Sequence, residues 1–154
     1  MKTSLNKLTS LKEAIVEYIH DGNSISFSGM GGEQCSASAF EIVRQGKKNL
    51  TIIGDSPCDV GDVLIGAGAV KKVEVAWLGY AVAGLGMNYR RAVEEGIPNY
   101  LDVEDYSNFS AGLRFLAGAM NVPFLPTRSL LGSDIPKYNP RIKVMSNPYS
   151  SELI

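Results

Sequence analysis

The sequence predicts an α/β fold, a largely parallel sheet with helices on both faces. Three observations predict it. Short apolar runs alternate with amphipathic stretches along the chain, no tight two-residue hairpin joins consecutive runs, and three successive runs end in glycine-bearing loops at Gly29–Gly32, Gly54–Pro57 and Gly79–Gly86. Such alternation builds βαβ units, whose crossover helices cover a parallel sheet. With 154 residues, 45% of them apolar and 20% charged, the chain is expected to form a single domain, residues 1–154, around one core.

The first helix is written most clearly. Ser10 and Glu13 have capping-box spacing, and Leu11, Ala14, Ile15, Tyr18 and Ile19 follow at helical intervals. Asp21-Gly22 ends it, with His20 in the last turn at the negative end of the dipole, a capping role rather than a catalytic one. A strand over Ser24–Ser28, with Ile25 and Phe27 on one face, runs into the first glycine loop. Ser38 and Glu41 repeat the capping-box spacing for a second helix, with Phe40, Ile42 and Val43 as its apolar positions and Gly46 as its stop.

Leu50–Ile53 reads as the second strand, Asp59–Ile65 as a short helix ended by Gly66, and Val73–Trp77 as the third strand. A helix over Met87–Glu95 stops at Gly96; a strand over Tyr100–Val103 and a longer helix over Asp105–Met120 follow. That longer helix places Phe109, Leu113, Leu116 and Met120 on one side, and Asn121 and Pro123 end it. A turn-rich segment, Pro126–Pro140, leads to a last strand, Ile142–Met145.

Charge and composition exclude several functions. A net charge of −1 without a long basic stretch argues against nucleic acid or an anionic membrane as partner, since both need a clustered cationic footprint. Lys47-Lys48, Lys71-Lys72 and Arg90-Arg91 are read as solvated element ends. The most apolar stretch, Ala76–Met87, holds three glycines and is shorter than the roughly 18 residues of a membrane span. The charged amino terminus lacks the apolar core of a secretory signal, so a cytoplasmic protein is expected. Cys35 and Cys58 fall outside any CxxC pattern and His20 has no ligand-spaced companion, so no metal is expected and both thiols are read as reduced and inert.

Chemistry is expected beyond the carboxyl ends of the strands, where ligands bind in parallel sheets. Small residues there let backbone amides approach a ligand, and Gly29, Met30, Gly31 and Gly32, with Gln34 just after them, would offer donors to an oxyanion or carbonyl. Gly54, Ser56, Gly79 and Tyr80 complete the set, although Ser56 and Tyr80 serve equally well in local turn hydrogen bonds. The spacing is not that of a dinucleotide fingerprint, because Gln34 stands where the third glycine belongs, and no Walker lysine follows. Glu33 has the chemistry of a base or nucleophile, but at a helix entrance it is first an acid that favours the dipole.

With these loops in view, the chain resembles the amino-terminal part of the alpha subunit of family I coenzyme A transferases, nearest the glutaconate CoA-transferase branch. The likeness is carried by Leu11–Tyr18 with His20-Asp21-Gly22, Ile25–Gly32, Phe40–Gly46, Asn49-Leu50-Thr51 and Asp62–Gly66. Arg90-Arg91, Glu104–Ser107 and Pro123–Pro126 extend it over nearly the whole chain in order. It implies a Rossmann-like CoA-transferase fold (NagB/RpiA/CoA transferase-like), here without its carboxyl-terminal part. It also implies a nucleophilic glutamate that passes through anhydride and glutamyl-CoA intermediates and belongs to a partner beta subunit.

On that resemblance the chain builds one wall of a site in a hetero-oligomer, with an acyl-CoA and a carboxylic acid as substrates. Coenzyme A is then a substrate, and no cofactor is held permanently. Two departures bear on specificity: the family's Gly-Gly-Phe reads Ser28-Gly29-Met30, and its arginine, lysine and proline are replaced by Gln34, Cys35 and Ser36. Losing two cations weakens a dicarboxylate reading. The segments Leu130–Pro136 and Ser146–Tyr149 also resemble related two-subunit hydrolases that open ring-derived acyl-CoA compounds, with water as acceptor. A non-catalytic module binding a CoA ester or sugar phosphate is the alternative from outside enzymes.

Overall fold

In the computed structural model, which describes residues 8–27, 34–80 and 84–154, Ser10 opens helix α1 (Leu11–Tyr18) with both halves of the expected capping box. The Ser10 hydroxyl accepts from the Glu13 amide, and Glu13 accepts from the Ser10 amide and hydroxyl at 3.1 and 2.8 Å. These bonds hold the Glu13 carboxyl below its usual range. Ser10→Ala is expected to lower stability by about 1 kcal/mol, measured by urea unfolding, since it strips the first turn of its acceptor. An unchanged midpoint would show that α1 frays independently of the core.

The core sheet is wholly parallel, in the order β1 (Ser24–Ile25), β2 (Leu50–Gly54), β3 (Val70–Val75), β6 (Asp102–Asp105). A separate antiparallel pair, β4 (Gly79–Tyr80) and β5 (Gly84–Leu85), follows β3. Between the strands lie α2 (Ser36–Arg44), α3 (Cys58–Gly66) and α4 (Met87–Glu95), and after β6 come α5 (Asn108–Met120) and the short α6 (Ile135–Tyr138).

Strand alternation sorts the two faces. Leu50, Ile52, Val73 and Val75 point one way and join Ile15, Ile42, Leu64, Ile65 and Ala92, from α1 to α4, in one buried cluster. Thr51, Lys72, Glu74 and Glu104 point the other way, where α5 reaches the sheet through Arg114, paired with Glu74 and stacked 4.3 Å from the Tyr106 ring centroid. Helices therefore lie on both faces, apolar packing on one and an ionic network on the other.

Several local expectations need correction. β1 is two residues long in the described part, although Phe27 still packs on the core. His20 lies beyond α1 in the following turn, where its amide donates to Asn23. Ser38 and Glu41 do not cap α2: the helix starts at Ser36, and Glu41 is instead a buried acid bonded by Arg44 and Gln45. Of that helix's expected apolar face only Ile42 is buried, joined by Ala39, while Phe40 and Val43 are exposed. The turn after α3 is made by Gly68 at φ 67° rather than by Gly66, the helix's last residue.

The third strand begins three residues early, at Val70, and ends at Val75 rather than Trp77. β6 lies two residues later than expected, and α5 starts at Asn108 behind a Ser107–Ser110 box. No strand forms over Ile142–Met145; the nearest feature is a single antiparallel bridge from Ser146 to Leu153, with Met145 and Ile154 exchanging backbone hydrogen bonds. The hairpin β4–β5 was not expected, because its strands are too short to show an alternation. α4 and its left-handed Gly96 stand where expected.

The lysine doublets divide. Lys71 is exposed, but Lys72 has a side chain only 16% exposed, lying between Glu74 and Glu104. No described helix is long and apolar enough to cross a membrane.

Candidate functional site

All four core strands point their carboxyl ends to one edge, and the connections stitch that edge together. The Asp55 carbonyl accepts from the Ala76 and Trp77 amides at 3.0 and 2.9 Å, and the Val75 carbonyl accepts from the Tyr106 amide at 2.9 Å. Gln34, buried at the entrance to α2, donates through Nε2 to the Ser56 carbonyl at 3.0 Å, tying the segment after β1 to the loop after β2. Gly54, Ser56, Gly79, Tyr80 and Gln34 are thereby gathered at this edge. Gly29, Met30, Gly31, Gly32 and Glu33 lie outside the described residues, with Ser28 and residues 81–83.

The gathered residues are not alike. Ser56 is buried, and the bond that joins it to Gln34 uses its backbone. Tyr80 is half-buried, and its hydroxyl donates to Asp62 Oδ2 at 3.1 Å; burial, then the neighbouring Asp62 carboxylate, push its phenol up to about 12. Gly79 answers a packing demand: a Cβ there would sit 2.6 Å from the Trp77 ring and 2.9 Å from the Gly84 carbonyl. A small residue is needed at 79 for the chain's own neighbours, whatever ligand comes near.

Beside this edge a cavity of about 560 Å³ opens between the ends of β3 and β6 and the start of α4. Trp77, Leu78, Leu85, Tyr89 and Val93 give it apolar walls, and Arg90, paired with Glu94 at 2.8 Å, lies among its polar lining. A second cavity, about 490 Å³, lies between α5 and the segment after it, bordered by Ser110, Arg114, Leu130 and Arg141. Among the described residues no group of three or more His, Cys, Asp and Glu is placed to hold a metal ion.

Reading the sequence alone passes over the residues that organise this edge. Asp62, at 1% exposure, accepts from Tyr80, Asn88 and the Tyr89 amide. Asp59 opens the first turn of α3 with an Oδ1 atom that is buried and lacks a hydrogen-bond partner among the described residues. Both occupy polar positions in a stretch that reads as ordinary amphipathic helix. The available signal was the density of glycines around them, since Gly66 and Gly86 make room for Asn88 and Asp62.

Comparison with known proteins places this arrangement. The A-type subunit of the 3-oxoadipate CoA-transferase of Pseudomonas knackmussii is 37% identical over 146 residues, covering 95% of this chain and 52% of that protein. The A-type subunit of the glutaconate CoA-transferase of Acidaminococcus fermentans is 33% identical over 133 residues, covering 85% of this chain and 41% of that protein. The crystal structure of the Acidaminococcus fermentans glutaconate coenzyme A-transferase superposes with a TM-score of 0.82 at 29% identity, over 94% of this chain and 50% of that one. The chain thus spans about half the length, or less, of the relatives it matches. The coenzyme A transferase family matches residues 8–147, from the first cap to the last turn, and the parallel sheet is that of its solved relative; this chain belongs to the coenzyme A transferase family.

Proposed function

We propose that the chain is the alpha-type part of an enzyme that moves coenzyme A between an acyl-CoA and a carboxylic acid, with the nucleophilic glutamate on a beta-type subunit. The observation that carries this is the carboxyl-end edge itself, where Gln34 is tied to the loop of Gly54 and Ser56, and that loop to the start of the connection carrying Gly79 and Tyr80, in a chain of this family. Both named relatives are A-type subunits of transferases, which supports a partner subunit for this chain.

In this reading the glycine loop Gly29–Gly32 supplies backbone donors to the thioester carbonyl. A carboxylate attacks that carbon, and the negative charge developing on oxygen is met by those donors. The coenzyme A thiolate leaves, then attacks the glutamyl carbonyl of the resulting anhydride to free the donor acid as a carboxylate. It is displaced from the glutamyl thioester by the acceptor carboxylate and attacks the new acyl carbonyl to free the glutamate, so it is a substrate rather than a resident cofactor.

The test is an assay of the complex with its beta-type subunit, using acyl-CoA with and without an acceptor acid. New acyl-CoA formed only when the acceptor is present is the expected result. Free coenzyme A released at the same rate without acceptor would mean that water is the acceptor and would overturn the transferase reading. Binding of acyl-CoA without turnover in the assembled complex would instead favour a binding module.

A further inference from the structure

Asp62 is the most deeply buried carboxylate at the carboxyl-end edge, and its three donors come from two places in the sequence, Tyr80 and the adjacent pair Asn88-Tyr89. Oδ1 accepts from the Tyr89 amide at 2.8 Å; Oδ2 accepts from Asn88 Nδ2 at 2.8 Å and from the Tyr80 hydroxyl at 3.1 Å. No ion pair to Asp62 exists among the described residues, so its charge is met by neutral donors alone. A buried carboxylate survives only where its lone pairs are answered, and an arrangement that does so is stiff because loss of any donor is costly.

The geometry around it is equally committed. Gly86 precedes α4 and offers no side-chain cap, so the third residue of the helix, Tyr89, takes its acceptor from α3 instead. A Cβ at Gly86 would lie 2.7 Å from Asp62 Oδ1 and 3.0 Å from Leu78, and one at Gly66 would lie 2.6 Å from Asn88. Two glycines thus admit the carboxylate and its amide donor. Gly86, Tyr89 and Leu78 also line the 560 Å³ cavity, so the clamp forms part of its support.

We infer that Asp62 is a positioning residue: from α3 it fixes the β4–β5 hairpin and the first turn of α4, and so sets the shape of the cavity wall at the substrate edge. The inference rests on the coenzyme A transferase reading of that edge. It assigns Asp62 no contact with substrate. Replacing the carboxylate leaves the fold in place but lets Tyr80 and the start of α4 drift, and displacements near 1 Å at a reacting edge cost rates on the order of 10- to 100-fold.

The experiment compares Asp62→Asn, Tyr80→Phe and Glu41→Gln in the full complex with its beta-type subunit. Glu41 is a buried acid on α2, bonded by Arg44 and Gln45 outside the edge, and serves as the control for loss of a buried carboxylate. For Asp62→Asn, kcat/KM per folded complex is expected to fall at least about tenfold. Tyr80→Phe should fall less, and Glu41→Gln should stay near the parent enzyme. Amide exchange at Tyr89 should rise in Asp62→Asn and not in Glu41→Gln, and Tyr80 should ionise at lower pH in spectrophotometric titration.

If Asp62→Asn lowers activity only in proportion to its folded fraction, as Glu41→Gln does, the positioning role is overturned. Unchanged exchange at Tyr89 overturns it equally. A parent complex that transfers no coenzyme A defeats the functional reading itself, while the exchange and titration results still report on the clamp.

Discussion

Purified by itself, the chain is expected to show no coenzyme A transfer above background, and transfer is expected to appear when a beta-type subunit is added. The reaction needs a carboxylate that can attack a thioester and then leave, activated by its surroundings. Glu33 adjoins the glycine loop in sequence; Asp55 is exposed; Asp59 and Asp62 are drawn into α3. Asp62 is committed to three donors and not free to attack. The measurement is a transferase assay on the chain alone and on the mixture, with borohydride trapping of the glutamyl thioester and peptide mapping of the reduced residue. Enzymatic nucleophiles account for many orders of magnitude in rate, so the difference should be all or nothing on the assay's scale. A trapped adduct on Glu33 in the isolated chain would make this chain the catalytic one.

Lys72→Met is expected to destabilise the domain by about 3 kcal/mol, because removing the central cation of a buried ionic network leaves two buried carboxylates with only part of their compensation. Lys72 Nζ lies 3.1 Å from Glu74 and 2.5 Å from Glu104, whose side chains are 10% and 8% exposed. Glu74 would retain Arg114, and Glu104 would retain the Tyr106 hydroxyl at 3.0 Å and Arg141 at 3.7 Å, which holds the loss below a complete collapse. Urea unfolding measures it, and a change below about 0.5 kcal/mol would show the network to be no stronger than an exposed pair.

The same network contributes to the pH dependence of stability. The hydrogen bond to Glu104 raises the Lys72 ammonium above its ordinary value, so its contribution is fully present below the unfolded lysine pKa and is lost as pH rises through the folded one. For Glu74, burial acts to raise the carboxyl, but hydrogen bonds from Arg114 and Lys72 outweigh it and hold it low. Its contribution is present above the unfolded carboxylate pKa and is lost as pH falls through the folded one. The network's contribution should therefore be flat between about pH 5 and pH 10 and decline on either side. In Lys72→Met the alkaline decline should weaken, and thermal unfolding across pH reads both flanks.

Much of this molecule is determined by short-range rules. Ser10 with Glu13 caps α1, Gly96 ends α4 in the left-handed region, and Leu50, Ile52, Val73 and Val75 alternate into one core, because propensity, capping and strand periodicity act within a few residues. The parallel order and the glycine-bearing strand ends follow from the same patterns, and with them the edge proposed to take a ligand and the resemblance to the coenzyme A transferases. Only the tertiary structure decided what depends on residues far apart in the chain. Lys72 reads as half of a solvated doublet until β6 brings Glu104 beside it, and Asp62 reads as a polar position on a short helix until Tyr80, Asn88 and Tyr89 fold against it. A charge carries no mark of its burial in the sequence, since its desolvation and its partners are both properties of the packed sheet.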